Sequence, residues 1–413
     1  MRIARKSLVG GVISARASDR LEFVDALRGF ALLGVFWANL LIFSGIEYMS
    51  AAQRTAAFPS RLDAFAYGFE RFFIENKFMG LFSTLFGVSF WLFLSRARAR
   101  GGSATRLFYR RIFWLFAIGL AHGWLLWAFD ILRFYALWAV LLPLFAASPP
   151  RRLLRFALAA SVLVPALVAA VRAALPPPAA GPDMDAIALA AFSHGSYRDV
   201  LAANWRYDWY LTLSISQIGY QVAVFGRLLL GLWVARTLDL GDLARHRTLL
   251  QRVLLVGGLA GLAGSTVSAG NLFAGRSGPL LAFARRLVVE GGQLGLTLAY
   301  AGALGLAYLG ARGSAIRFLA PLGRMALTWY LFQTVFGIWL FYGFPRGPGL
   351  MGRVGPASLT ALCLVGYPVQ AFLARVWLER FRFGPAEWLW RCLTYGKAQP
   401  FRAASRALEP GTP

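Results

Sequence analysis

Cysteine is almost missing from the 413 residues: Cys363 in an apolar run and Cys392 in a basic one are the only two. That leaves no disulfide framework and no metal-ligand spacing. Acidic residues are scarce, 18 against 43 Lys and Arg, and there are three histidines. No Walker loop, metal site or serine triad can be read from the sequence. Internal repeats are also missing, which removes one pointer to a transporter built from inverted halves. What the chain lacks most is polar surface, since 58% of it is hydrophobic and 15% charged, with a mean hydropathy of +0.57. No soluble domain of this size hides that much apolar surface in one core.

What is there is a series of apolar runs, several of them long enough to cross a hydrocarbon layer of about 30 Å. They cover residues 23–46, 78–94, 108–128, 131–147, 153–175, 209–235, 249–273, 287–309, 325–344 and 356–378. The expected fold is an all-α polytopic bundle of about ten transmembrane helices. Its parts are a basic N-terminus (1–20), one membrane domain (21–378) with a long loop at 176–208 that begins in a Pro-rich piece, and a basic tail (379–413). The start of the chain faintly imitates a signal peptide, but its apolar part is short and no cleavage is expected.

The formal net charge of +25 does not point to nucleic acid, because the cations lie in short loops between apolar runs and no nucleic-acid motif accompanies them. Alternate loops carry the Arg, which reads by the positive-inside rule as both termini in the cytoplasm. Anionic phospholipid is the expected partner of those loops. Arg276, Arg285 and Arg286 stand on the opposite side without evident compensation. The expected location is a bacterial cytoplasmic membrane; a second copy of the chain is left open as a partner.

Polar side chains inside the runs are costly and therefore functional candidates. His122, in the stretch 119–123, lies eleven residues past Arg111, or roughly 17 Å along a helix. Asn39 in the first run reaches a similar depth, so the two could face one another. Gln217 and Gln221 share a helix face by their spacing, and Gln293 and Gln333 add amides that could line one polar cavity. Interhelical packing bonds are the plainer alternative. Asp130 is eight residues past His122, about 80° round and 12 Å further on a straight helix, out of reach unless the chain bends back. With Arg133 it is expected to shape an outer turn. Asp25 and Arg28, three apart at the inner end of the first run, pair with each other as readily as they offer a cation to phosphate. His194 and His246 fall in loops.

The segments Asp25–Gly34 with Asn39, Lys77–Phe78 with 81–87, 119–122 with 130–135, 323–328, and 383–395 resemble the YeiB-type bacterial membrane proteins of domain-of-unknown-function family 418. The resemblance runs from about residue 20 to 397. It implies a branch of the transmembrane acyltransferases, which hold acyl-CoA from the cytoplasmic side and pass the acyl group to an acceptor on the far side. On that likeness His122 becomes the general base or acyl carrier, Asn39 its orienter or a carbonyl hydrogen-bond donor, and Asp130 a third catalytic candidate. Arg28, Asp25 and Arg324 become candidates for the acyl-CoA site. The chain departs from the family pattern at Trp329, in place of an Asn, and at Phe129, in place of a Gly, and both are expected to crowd the cavity. The leading expectation is acyl (acetyl) transfer from acyl-CoA to a small-molecule, glycan or lipid acceptor. A transporter or flippase and a non-catalytic scaffold are the alternatives.

Overall fold

A bilayer offers no water to backbone N–H and C=O groups, so a chain of this composition must satisfy them within helices. The computed structural model bears this out. It describes residues 2–99, 103–176, 183–270, 278–344 and 346–403, with side chains from Glu22 onward except that of Ser216. The side chains of Arg2, Arg5, Lys6, Arg16 and Arg20, together with Arg276, the segment 177–182 and the tail from 404, lie outside the described residues. Among the described residues there is no β-sheet, only an isolated bridge between Phe381 and Arg402.

Each of the ten apolar runs is largely helical over its described residues. The helices are α1 (Arg2–Phe43), α2 (Lys77–Ala99), α3 (Ala104–Leu125), α4 (Leu132–Ala139), α5 (Pro150–Ala174, with one π-turn), α6 (Ile215–Thr237), α7 (Arg247–Ala269), α8 (Pro279–Leu309), α9 (Ala326–Phe341) and α10 (Pro356–Arg380). Seven of the described segments are long and apolar enough to span a bilayer on those grounds alone, and α9 is a shorter apolar helix. The chain is thus a multi-pass membrane protein by its helices. Two expected runs are broken: 131–147 splits after Ala139, and 209–235 is interrupted at Ser214, whose backbone is extended. Residues before that break belong to a separate helix, Tyr197–Leu213, which follows another, Met184–His194, in the long loop.

The core is built around α1, where Leu32, Phe36, Leu40 and Phe43 are almost fully buried. On one flank α2 and α6 pack so closely that a β-carbon at Gly231 would fall onto the Thr84 carbonyl. Arg286, read from the sequence as uncompensated, is paired with Glu290 at 2.5 Å. Glu290 is also held by Arg227 of α6 at 3.2 Å. Two cations thus share one buried carboxylate, as low dielectric demands.

After α10 the chain turns back in an amphipathic helix, α11 (Pro385–Tyr395). Its Glu387 carboxylate accepts the N–H groups of Leu327 and Thr328 at 2.7 and 3.0 Å and the Thr328 hydroxyl at 2.5 Å, capping the free donors at the start of α9. Burial at this junction pushes the Glu387 carboxyl above the usual carboxylate range, against the Thr328 hydrogen bonds that pull it down. The Arg111 guanidinium lies 3.5 Å over the Trp390 ring, and the Trp390 indole donates to the Arg111 carbonyl at 2.9 Å. These contacts fasten α11 across the ends of α3 and α9.

Two outcomes follow. Gly231→Val is expected to lower stability by about 2–4 kcal/mol, because the backbone–backbone contact cannot yield; an unchanged melting temperature in detergent would contradict the close packing. Glu387→Ala is expected to cost about 1–2 kcal/mol as a lost cap and to speed maleimide labelling of Cys392 on α11. Glu387→Gln, which keeps an acceptor, should show a smaller effect on both readouts.

Candidate functional site

The site starts at the end of α3. Beyond Leu125 the chain leaves the helix, with the N–H groups of Leu126 and Trp127 both bonding the His122 carbonyl. Residues 126–131 then fold back along the helix that precedes them. Gly119 makes the return possible: a β-carbon there would strike the Arg133 N–H and crowd the Asp130 carboxylate at 2.9 Å. Asp130 therefore arrives beside His122, which a continuous helix forbids, and the expectation that the two stay apart is corrected.

His122 Nδ1 lies 2.9 Å from Asp130 Oδ1, and His122 Nε2 lies 3.0 Å from the Thr334 hydroxyl of α9. Asp130 Oδ2 accepts the Arg133 N–H at 2.8 Å. All three side chains of the His122 relay are buried: His122 is 3%, Asp130 1% and Thr334 1% exposed. Asp130 also shapes the turn with Arg133, as expected, through that backbone bond. The Arg133 guanidinium pairs with Asp208 of the Tyr197–Leu213 helix, and the Trp124 indole donates to Asp208 at 2.8 Å. The network thus ties α3, α4, α9 and the long loop together.

Asn39 is buried on α1, but it takes no part in the bonds to His122, whose two ring nitrogens belong to Asp130 and Thr334. The orienting group is Asp130, and the pairing of Asn39 with His122 is corrected. The four glutamines do not gather in one cavity either. Gln293 bonds Arg227 at 3.3 Å, Gln333 donates to Gln370 at 2.9 Å, and Gln217 and Gln221 are partly exposed on α6.

A cavity of about 640 Å³ does lie in the bundle, and its walls differ from end to end. One end carries Arg28, Arg96, Arg111, Arg324, Arg382 and Arg391, against the carboxylates of Asp25 and Glu387 among the described residues. Arg28 pairs with Asp25 at 2.5 Å and also reaches the Ser89 hydroxyl, so the ion pair and the cavity wall are the same residues. Burial, with Arg96 nearby, pushes the Arg391 guanidinium below its usual range, despite the pull of Tyr395 and Glu387. A cation surplus held in a concave, partly desolvated space favours an anion.

The other end is apolar and aromatic, with Phe82, Phe86, Leu115, Ile131, Tyr135 and Tyr330. Tyr330 stands between this end and the relay: its ring centroid is 5.1 Å from that of His122, and its hydroxyl accepts the Ile131 N–H at 3.4 Å. His122 is therefore one side chain away from a cavity that begins at arginines. Trp329 and Phe129, expected to crowd it, are absent from its walls. Trp329 is buried on α9, while Phe129 packs on Trp127, Tyr207 and Tyr48 beyond the relay.

Sequence reasoning missed Thr334, Arg111, Arg391 and the Arg227–Glu290 pair. Arg227 carried a signal, a lone cation in an apolar run, whereas Thr334 carried none beyond standing next to Gln333.

The family described as "Protein of unknown function (DUF418)" matches residues 234–397. Over 407 residues the chain is 28% identical to the uncharacterized protein YxaH of Bacillus subtilis (strain 168), covering 93% of this chain and 96% of that protein. It is 29% identical to an uncharacterized 39.9 kDa protein in the amylase 3' region of Bacillus acidopullulyticus, over 92% and 96% of the two chains. With the uncharacterized protein YeiB of Escherichia coli (strain K12) it shares 26% identity over 92% and 98%. The chain is thus similar along nearly its whole length to the YeiB-type proteins, and its residues 234–397 match the family of domain of unknown function 418.

Proposed function

We propose that the protein is a membrane acyltransferase of the bacterial cytoplasmic membrane that draws an acyl group from acyl-CoA on the arginine-rich, cytoplasmic side and delivers it to an acceptor hydroxyl or amine on the other side. One observation carries the reading: a cavity that is lined by six arginines and, past apolar walls, by Tyr330, whose ring packs on the buried His122 of the His–Asp pair. Acyl-CoA has the matching polarity, with phosphates at one end and a thioester on a long, weakly polar arm at the other. The volume of about 640 Å³ falls within the range of about 300–1,000 Å³ of small-molecule and cofactor pockets.

Arg28, Arg324 and Arg391 would take the phosphates, since charge-assisted bonds to guanidinium groups are the strong ones. Asp25 sets the position of Arg28 through their ion pair. At the far end, an ionised Asp130 only accepts hydrogen bonds, so it fixes the proton of His122 on Nδ1 and leaves Nε2 as the base. An imidazole so held can take a proton from an acceptor and pass it on. The acceptor, whether glycan, lipid or small molecule, approaches through the aromatic layer of Tyr48, Trp127, Phe129 and Tyr207 beyond the relay.

Acetyl-CoA binding to the full chain in nanodiscs, followed by calorimetry, tests this reading. Arg28→Ala and Arg391→Ala are each expected to weaken binding about tenfold, the value of one charge-assisted bond. His122→Ala is expected to bind within about twofold of wild type while losing thioester turnover by 10²–10⁴-fold, the usual contribution of a general base, about 3–5 kcal/mol. Absence of binding at millimolar acetyl-CoA would end the reading, and binding without turnover by wild type would favour transport of the same anion. Asp130→Asn offers a single acceptor oxygen to two N–H donors, His122 Nδ1 and Arg133 N. It should therefore cost turnover about 10³–10⁴-fold with binding preserved; near-normal turnover would remove Asp130 from the chemistry.

A further inference from the structure

The bonds around His122 determine which proton it takes first. With Nδ1–H committed to Asp130 at 2.9 Å, Nε2 carries the lone pair, and the group 3.0 Å from it is the Thr334 hydroxyl, which must then be the donor. The competing acceptor for that hydroxyl is the Tyr330 carbonyl, longer at 3.3 Å and one turn back on the same helix. An acceptor arriving from outside finds Nε2 already occupied. The arrangement has the roles of a nucleophile, base and orienter, assembled from two helices and the returning segment 126–131 rather than from a sequence motif.

We infer that Thr334 is the acyl-accepting nucleophile of an Asp130–His122–Thr334 triad, so that transfer passes through a threonine ester; this rests on the acyl-transfer reading above. In the first half, Thr334 Oγ1 attacks the thioester carbonyl carbon while His122 Nε2 takes the hydroxyl proton. The new C–O bond forms, the C–S bond breaks, and the proton on Nε2 passes to the leaving thiolate. In the second half the acceptor gives its proton to Nε2, its oxygen or nitrogen attacks the ester carbonyl, and the bond to Oγ1 breaks. Thr334 then recovers its proton from Nε2. Charge and atoms balance in both halves with no further reactant.

Two surroundings support the assignment. Tyr330, four residues before Thr334, ends the donor cavity and touches the imidazole, so a thioester that displaces its ring meets Oγ1 next. The Trp127 indole N–H is buried without a partner, and its ring stands edge-on to His122 at 6.5 Å between centroids. A buried donor left unpaired in the resting state is the type of group that stabilises an oxyanion.

The test uses full-length protein in nanodiscs without acceptor, given either radiolabelled acetyl-CoA or p-nitrophenyl acetate, a donor that does not need the arginine site. Wild type is expected to form an alkali-labile ester, stable to neutral hydroxylamine, on the peptide containing Thr334. Thr334→Ser should keep the label. Thr334→Val, which is isosteric, should lose it from both donors and reduce turnover on the order of 10³-fold or more, at an unchanged melting temperature. Labelling of His122 instead, or turnover by Thr334→Val within threefold of wild type, would overturn the nucleophile while leaving acyl transfer intact. Label at Thr334 from the ester but not from acetyl-CoA would keep the triad and remove the CoA donor. No label and no turnover from either donor would overturn both.

Discussion

A carboxylate with almost no contact with water, in a protein whose solvent is hydrocarbon, has to be matched by donors, because a buried polar group left unpaired is costly. Asp130 is that carboxylate, and much of the bundle is arranged around it. Its two oxygens receive His122 Nδ1 and the Arg133 N–H. Arg133 in turn neutralises Asp208, which the Trp124 indole also binds. Removing any one member would leave another buried group unpaired, so the position of the imidazole follows from a network of obligations rather than from one contact.

That constraint makes the two halves of the molecule cooperate. At one end, cations outnumber carboxylates around a cavity, and α11 is fastened over the same region by Glu387 and by Trp390 under Arg111. At the other, Tyr48, Trp127, Phe129, Phe192, Tyr207 and Tyr342 pack ring against ring beyond the relay. His122 and Thr334 sit between an arginine-lined cavity and an aromatic layer, with the Tyr330 ring packed on the imidazole from the cavity wall. A covalent ester at that depth suits such a geometry, because donor and acceptor need never be present together. The Arg227–Glu290–Arg286 cluster obeys the same rule of paired charge elsewhere in the bundle, between α6 and α8.

How much of this was legible in the sequence follows from what hydropathy measures. It found the helical class and the apolar runs because apolar length and backbone satisfaction leave a membrane segment little choice, and seven described segments are long and apolar enough to span. It overran the break at Ser214 and joined α4 to the short helix after it, since a bend changes no residue's hydropathy. His122 stood out because an imidazole in an apolar run is costly. Asp130 was a candidate too, but its pairing with His122 was not readable, because straight-helix geometry placed them about 80° apart, and the return of 126–131 depends on the space above Gly119. Asn39 is buried on α1, but the His122 ring nitrogens bond Asp130 and Thr334, a choice that depth along the helix did not reveal. Thr334 was invisible because a threonine in a membrane helix ordinarily bonds its own backbone. Its significance comes from a residue 212 positions away.

The most direct test of the account is a structure of the protein in a lipid nanodisc with a non-hydrolysable thioether analogue of acetyl-CoA. Density running from Arg28, Arg324 and Arg391 to a turned Tyr330 ring, with the acyl carbon within bonding approach of Thr334 Oγ1, is the expected result. Density for a phospholipid in the cavity, or an analogue whose acyl end stays at the arginines with the Asp130–His122–Thr334 relay untouched, would contradict it.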